Sequence, residues 1–380
     1  MNALPEVRIG IVGYGIMAKA HSYGYRVAPL LYELPVRPVV AAISGRNAEA
    51  IAEAAHAYDI PRWTTDWRTL IDDPEIDVID ICTPPGTHAE IAIAAAAAGK
   101  AVLSEKPLDV SYAAAIAAAE AVDAAGVLNA VNFNYRMLPA VALMQRMIEE
   151  GAIGEVRQWR GLWLSDEFVD PDIPFDWRFD RTMGGTTIAD LGVHMLDMAL
   201  WMVGDIDRVS AQSATFTAER STPDGPRAVT VDETSSALLR FASGAVGTFE
   251  VGRTAVRRPC DLTVEVNGST GTLIFDYSRL NELRYGSVGD DPELYGMRTI
   301  RAEQPSHPYS AHWWPIGQGV GYGSSFVNQV ASLLGHWPNG PWEPGFAQGA
   351  RVQAAAEAIE RSAERNEWVD VAEVTRRAPG

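Results

Sequence analysis

The chain reads as an α/β protein in two parts: a parallel sheet with helices on both faces, then an α+β half built on a large, mostly antiparallel open sheet. Three observations carry this reading. Up to Phe133, short β-branched runs alternate with longer alanine-rich runs, the pattern of a parallel sheet buried on both faces. Beyond a helical run at 139–150, the apolar segments lengthen, alternate with polar residues and follow one another through tight turns, which is the pattern of an antiparallel sheet with one solvated face. The third observation is length, since 380 residues correspond to roughly two or three compact units.

In the first part, strands are expected at 8–12, 39–43, 78–82, 101–104 and 128–133, with helices between them. Asn47 is placed to cap a helix over 48–57, and Gly99 to end one over 92–98, because a side-chain oxygen satisfies free N–H groups at a helix start and glycine tolerates the left-handed exit. In the second part, 236–241 and 246–251 flank Ser243-Gly244, and 262–266 and 272–275 flank the turn from Gly268 to Gly271, two hairpin candidates. A helix is expected near 188–202, and a last long one at about 347–365 that packs against either part. The stretch 303–323 is rich in Pro, Gly, His and aromatics without periodicity. Loops of that length inside a domain usually serve a function, here as a lid or a subunit contact.

Composition narrows the class. Hydrophobic residues at 47% and charged residues at 21% describe a globular chain, and no run reaches the about 18 apolar residues that span a bilayer. Residues 1–5 lack a basic or apolar leader, which points to the cytoplasm. A net charge of -18 favours solubility and repels nucleic-acid backbones and anionic membranes. Cys82 and Cys260 stand far apart in strand-like runs, so two buried thiols are expected and no disulfide framework.

Chemistry enters at Gly13-Tyr14-Gly15-Ile16-Met17-Ala18, a G-x-G-x-x-A run directly after the first strand. Gly13 permits the tight turn, Gly15 lets backbone approach a pyrophosphate, and Ala18 lets the helix lie close to the strand. The helix N-terminus beginning near Ile16 then offers N–H groups to phosphate. Residues 1–134 are therefore expected to form a dinucleotide-binding Rossmann domain, and 135–380 a second, α+β domain, the one expected to bind substrate. At the tip of the second strand, Ser44-Gly45-Arg46 carries no carboxylate for a free ribose 2′-hydroxyl. A hydroxyl and a guanidinium suit a 2′-phosphate, which tips the choice between NAD and NADP towards NADP; Arg46 stacked on adenine or left in solvent is the alternative.

Glu105-Lys106-Pro107 follows the fourth-drawn strand at the carboxyl edge of the sheet, where ligands bind. A lysine near a cationic nicotinamide ring has its pKa lowered and can exchange a proton with a reacting hydroxyl; a solvated strand-end lysine is the plainer reading. In the second part Gly184-Gly185 precedes Asp190 and His194, whose four-residue spacing puts both on one helical face. A helical histidine is commonly a core residue, but paired with Asp190 it is suited to orient a substrate hydroxyl. A metal there would need His307 or His312 as a third ligand, and none is expected.

These runs together resemble the Gfo/Idh/MocA oxidoreductases, through Gly13 to Ala18, Thr83-Pro84, Glu105-Lys106-Pro107, Asp190 and His194, with further likeness in His88-Ala89-Glu90, Phe133-Asn134-Tyr135-Arg136 and Trp177-Arg178. The resemblance implies hydride transfer between a nicotinamide and a hydroxyl or keto carbon of a sugar, anhydrosugar, glycoside or cyclitol. It implies that Lys106 is the acid/base, with Asp190 and His194 completing a catalytic, substrate-side triad. Gly13, Gly15, Ile16, Met17, Ser44, Arg46, Thr83, Pro84, His88, Glu105, Lys106, Asn134, Trp177 and Arg178 would line the cofactor, and Tyr135 and Arg136 the substrate. It also implies a cis Lys106–Pro107 bond and a homodimer or homotetramer formed through the second sheet. Gly45 departs from the acidic residue of many relatives. Two other readings stand beside this one: a redox-neutral glycoside-cleaving enzyme that oxidises a carbon transiently, and a non-catalytic sugar or dinucleotide sensor. The acidic residues Asp166, Glu167 and Asp170 are read either as hydroxyl ligands or as solvated side chains.

Overall fold

A computed structural model describes residues 4–376, and the chain divides into two compact units. The first runs up to Met137 and adds Gly321–Ala350; the second holds Leu138–Val320 and the chain from Arg351. The segment 321–350 therefore departs from the single 135–380 domain read from the sequence. Its helix carries few marks in sequence of the unit it joins, because apolar faces look alike whatever covers them.

The first unit is a doubly wound sheet. Its elements are β1 (Glu6–Val12), α1 (Ile16–Leu31), β2 (Arg37–Ser44), α2 (Ala48–Ala57), β3 (Trp63–Thr64), α3 (Arg68–Ile71), β4 (Val78–Ile81), α4 (His88–Ala97), β5 (Ala101–Ser104), α5 (Tyr112–Ala125) and β6 (Asn129–Val131). The strands lie in the order β3-β2-β1-β4-β5-β6, and each neighbouring pair is parallel. The sequence reading found five of the six; β3 is two residues long and has no pattern to find. β4 and β5 are buried at every position, as strands covered on both faces must be. Asn47 caps α2 through a bond from the Ala50 N–H (3.0 Å), and Ser111 caps α5 in the same way.

The second unit holds α6 (Pro139–Glu149), β7 (Val156–Leu164), α7 (Val193–Met202), β8 (Ile206–Ala214), β9 (Glu219–Thr222), β10 (Gly225–Ala228), β11 (Thr234–Phe241), β12 (Val246–Gly252), β13 (Asp261–Gly268), β14 (Gly271–Asp276), β15 (Glu282–Ser287) and β16 (Arg298–Arg301). After α8 (Ser324–Leu334), which belongs to the first unit, come α9 (Phe346–Arg365), β17 (Val369–Asp370) and α10 (Val371–Thr375). Nine strands form one sheet in the order β16-β15-β14-β13-β7-β12-β11-β8-β17, and β9 pairs with β10. All neighbours in the large sheet are antiparallel except β7 and β12. Both expected hairpins form. β11 alternates buried and less buried residues along its length: Ala237, Leu239 and Phe241 face the core while Leu238 is exposed. A shallow hollow on the sheet is lined by Arg160, Gln212, Leu238, Glu250 and Glu265 among others.

Of the two cysteines expected to be buried, only Cys82 is. Cys82 lies just past β4 and is buried, whereas Cys260 precedes β13 and is only half-buried. The part of the 303–323 stretch that lies in the second unit, up to Val320, is braced by local bonds: Glu303 accepts the Gly317 N–H (2.7 Å), and Ser310 donates to the Ala302 carbonyl (2.9 Å). Among the described residues no helix is long and apolar enough to cross a membrane.

Candidate active site

In the first unit the predicted residues gather at the carboxyl ends of the parallel strands. Gly13 follows β1, Ser44 ends β2, Thr83 and Pro84 follow β4, Glu105 and Lys106 follow β5, and Asn134 follows β6. A parallel sheet presents successive strand ends along one edge, so distant sequence segments converge there. Gly13 has φ +114°, and a Cβ on it would collide with the Cys82 carbonyl, so no other residue fits this turn. Its N–H is held by the Ser44 carbonyl (2.8 Å). Gly15 begins α1 with no side-chain cap, no acidic residue stands in the first turn, and a Cβ on it would meet nothing within 4 Å. Open N–H groups beside free space are what a pyrophosphate requires, so these residues fit a dinucleotide. Ala18 is fully buried, as close packing of α1 on the sheet demands.

The neighbouring loops are firmly braced. Thr87 donates to the Thr83 hydroxyl (2.8 Å). His88 is fully buried, with Nδ1 and Nε2 each 2.7 Å from a backbone carbonyl, those of Pro107 and Thr83. It thereby joins the loop after β4 to the cis Lys106–Pro107 peptide. Asn134 donates to the Ser325 hydroxyl (2.9 Å), and the Tyr135 ring lies 5.9 Å from that of Tyr322. Arg136 is buried, while Arg46 is exposed. A Cβ on Gly45 would collide with the Tyr14 ring, so this position is covered by an aromatic side chain.

Glu105 is buried and accepts three bonds: from His21 Nε2 (3.0 Å), Asn132 Nδ2 (2.6 Å) and the Lys106 N–H (3.1 Å). Burial by itself would raise its pKa, but the bond and charge of His21, with Lys106 adding to them, hold it down at about 2. Lys106 is partly exposed.

In the second unit, Trp177 and Arg178 lie on a short turn in which Asp176 accepts the Arg178 N–H (2.8 Å); the guanidinium stacks on the Trp177 ring at 4.5 Å. The helix expected at 188–202 begins as a π-helical turn, Ile188–Gly192, and becomes α7 at Val193. Such turns recur at functional sites because they redirect side chains. Asp190 is on the π turn, with Oδ2 3.6 Å from the buried Arg253 guanidinium; His194, in the first turn of α7, packs its ring 5.6 Å from Trp163. Glu167 is pushed up first by burial and then by the Asp190 charge. Sequence reasoning passed over Arg253, and over His21, Asp80 and Asn132 in the first unit. Their one signal was polarity inside apolar runs, as at Asp80 in Val78–Ile81.

Comparison with known proteins agrees with this geometry. Residues 7–133 match the oxidoreductase family model with an NAD-binding Rossmann fold, and residues 141–274 match the GFO/IDH/MocA C-terminal domain. The chain is 38% identical to a levoglucosan dehydrogenase of Pseudarthrobacter phenanthrenivorans, over 98% of this chain and 100% of that one. It is 30% identical to scyllo-inositol 2-dehydrogenase (NAD+) of Bacillus subtilis, over 70% and 73% of the two. Among solved structures, levoglucosan dehydrogenase in complex with NADH superposes with a TM-score of 0.94 at 39% identity, covering 96% of this chain and 99% of that one. From the glycine turn, the lysine strand end and these matches together, the chain belongs to the Gfo/Idh/MocA family and is a nicotinamide-dependent oxidoreductase.

Proposed function

We propose that this enzyme oxidises a ring hydroxyl of an anhydrosugar, sugar or cyclitol with NAD+, levoglucosan-like substrates foremost. The observation that carries this reading is the full-length similarity to levoglucosan dehydrogenase. When bound, the nicotinamide supplies the hydride acceptor or donor. Lys106 takes the proton of the reacting hydroxyl and returns it in reduction. Its peptide is fixed on both sides, by Glu105 at its N–H and by His88 at the Pro107 carbonyl, which supports a role demanding position. Asp190 and His194 bind and orient substrate hydroxyls, and the Arg253 guanidinium, 3.6 Å from Asp190, holds that side chain in place. Tyr135 and Arg136 serve the substrate, and Thr83, Pro84, Asn134, Trp177 and Arg178 the cofactor.

For the cofactor, NAD is preferred over the NADP that Ser44 and Arg46 suggested. Similar structures hold NADH, and Arg46 extends into solvent beside a Gly45 covered by Tyr14. The open face of the nine-stranded sheet is assigned to subunit contact; sedimentation showing a monomer at micromolar concentration would reject that. Titration with NADH and NADPH, followed by levoglucosan, myo-inositol, scyllo-inositol and D-xylose with each oxidised cofactor, tests the whole reading. Tighter NADH binding and turnover of one of these sugars are expected; product formation with no net reduction of cofactor would favour a redox-neutral cleavage instead.

A further inference from the structure

Behind the Glu105–Lys106 strand end lies a polar cluster that the reaction above does not use. His21 stands in α1, one turn past the glycine-rich run, and is almost wholly buried. Its Nδ1 is 2.9 and 3.0 Å from the two oxygens of Asp80, and its Nε2 is 3.0 Å from Glu105 Oε1. Carboxylates at both edges of one imidazole put an acceptor before each nitrogen, which favours the doubly protonated imidazolium, with the Asn132 amide nitrogen, 2.9 Å from Nε2, donating to the same Glu105 oxygen. Burial pushes His21 down, but the Asp80 charge and bond overcome it and leave the ring well above its usual value. The groups facing it are Asp80 from β4, the Cys82 thiol beyond β4, Glu105 from the end of β5 with the Lys106 charge beyond, the Asn132 amide after β6 and the Phe326 ring of α8, while Tyr25 of α1 bonds Asp80.

His21, Asp80 and Cys82 also place one donor atom each within 4.8 Å of one another, the spacing of a metal site. A cation there would need a bare Nδ1 and a thiolate. Nδ1 is already committed to Asp80, and burial with the Asp80 charge pushes the Cys82 thiol up to about 12. The cluster thus holds a proton where a metal site would hold an ion.

We propose that His21 is a positioning residue for Lys106: anchored by Asp80, its imidazolium fixes Glu105, and Glu105 fixes the peptide that carries the lysine. The chain of contacts Asp80–His21–Glu105–Lys106 ties the helix that opens at the dinucleotide turn to the strand end that moves the proton. Without the cation, two buried carboxylates lose their common counter-charge; Glu105 must then turn away or take up a proton, and either change releases the Lys106 N–H. The inference rests on the reading of Lys106 as the acid/base.

The test compares His21→Gln, Glu105→Gln, their double variant and Lys106→Met, using the best sugar of the panel with NAD+ and a fluorescence titration with NADH. His21→Gln is expected to lower kcat about ten- to hundredfold, the cost of a misplaced catalytic group, with NADH affinity within about threefold. Because His21 acts through Glu105, the double variant is expected to be no slower than Glu105→Gln alone, whereas independent structural damage would multiply the losses. Nitrogen NMR of the unaltered protein should show both His21 ring nitrogens protonated at neutral pH, a readout independent of whether any variant folds. A neutral ring, multiplicative losses, unchanged kcat in His21→Gln, or a bound metal lost on that substitution would each overturn the proposal. If Lys106→Met itself turns over normally, the assignment of the lysine fails; if it is inactive while His21→Gln is unimpaired, only the present inference fails.

Discussion

Each unit buries a charged network, and the two are built from opposite materials. In the first, one imidazolium sits between two carboxylates, Asp80 and Glu105, among neutral donors. In the second, two guanidiniums stack on phenylalanines: Arg220 over Phe179 at 4.3 Å and Arg253 over Phe168 at 4.7 Å. Arg220 donates to the carbonyls of Asp170 and Phe168 and pairs with Glu233 at 3.5 Å. Arg253 donates to the carbonyls of Gly185 and Asp232 and reaches Asp190. The difference teaches how each unit can respond to its surroundings. Arginine cannot give up its proton inside a protein, so its cation is permanent, and here backbone carbonyls share with one carboxylate the task of holding each guanidinium. Histidine can lose its proton, so the first network keeps its charge only while both carboxylates remain ionised.

The largest expected break in this comparison is Arg253→Leu, which removes the cation from two carbonyls and from Asp190; a loss of about 3–5 kcal/mol is expected in denaturant unfolding, the usual cost of stranding a buried partner. Titration of stability comes next and separates the two networks. Glu105 falls from its ordinary 4.5 to about 2 on folding, so its contribution is complete above pH 4.5 and is lost as pH falls through about 2. His21 moves the other way, well above its ordinary 6.5; its contribution is complete below pH 6.5 and is lost as pH rises through the elevated value. Hydrogen exchange should therefore show β4 and β5 best protected between these limits, with acid loosening them in Glu105's range; an acid response that disappears in Glu105→Gln confirms the source. Phe168→Leu is expected to cost about 2 kcal/mol through lost aromatic packing against Arg253. Asn47→Ala sets the lower end at about 1 kcal/mol, the loss of one helix cap far from either network. Equal effects for Arg253→Leu and Asn47→Ala would erase the contrast.

The parts legible in the sequence were those with local signatures. Gly13 to Ala18 could be read because turn, helix start and close packing each demand a particular small residue within six positions. Glu105-Lys106-Pro107 stood out only because a short strand-like run, Ala101 to Ser104, preceded it. The two hairpins were equally plain, since both strands and the turn lie within one short window. Asp80 was lost because a single acidic residue among Val78, Ile79 and Ile81 looks like an exposed strand position, and nothing local says that a helix histidine covers it. His21, Asp80, Glu105 and Asn132 come from four separate elements and meet only after the parallel strand order is set. Arg253 was invisible for the same reason: a lone arginine after a strand reads as solvated until Phe168 and Gly185 are placed beside it. The π turn at Asp190 left no mark in composition, because a one-residue change of helical register needs no special residue.

The most direct test of the whole account is the stoichiometry of the reaction. Wild-type protein given limiting levoglucosan and excess NAD+ should release one NADH for each sugar oxidised, while Lys106→Met should bind NADH within about tenfold of the parent yet turn over about a hundred- to ten-thousandfold more slowly, the usual contribution of a general base. Normal turnover in that variant, or sugar consumed by the wild type without any NADH formed, would contradict it.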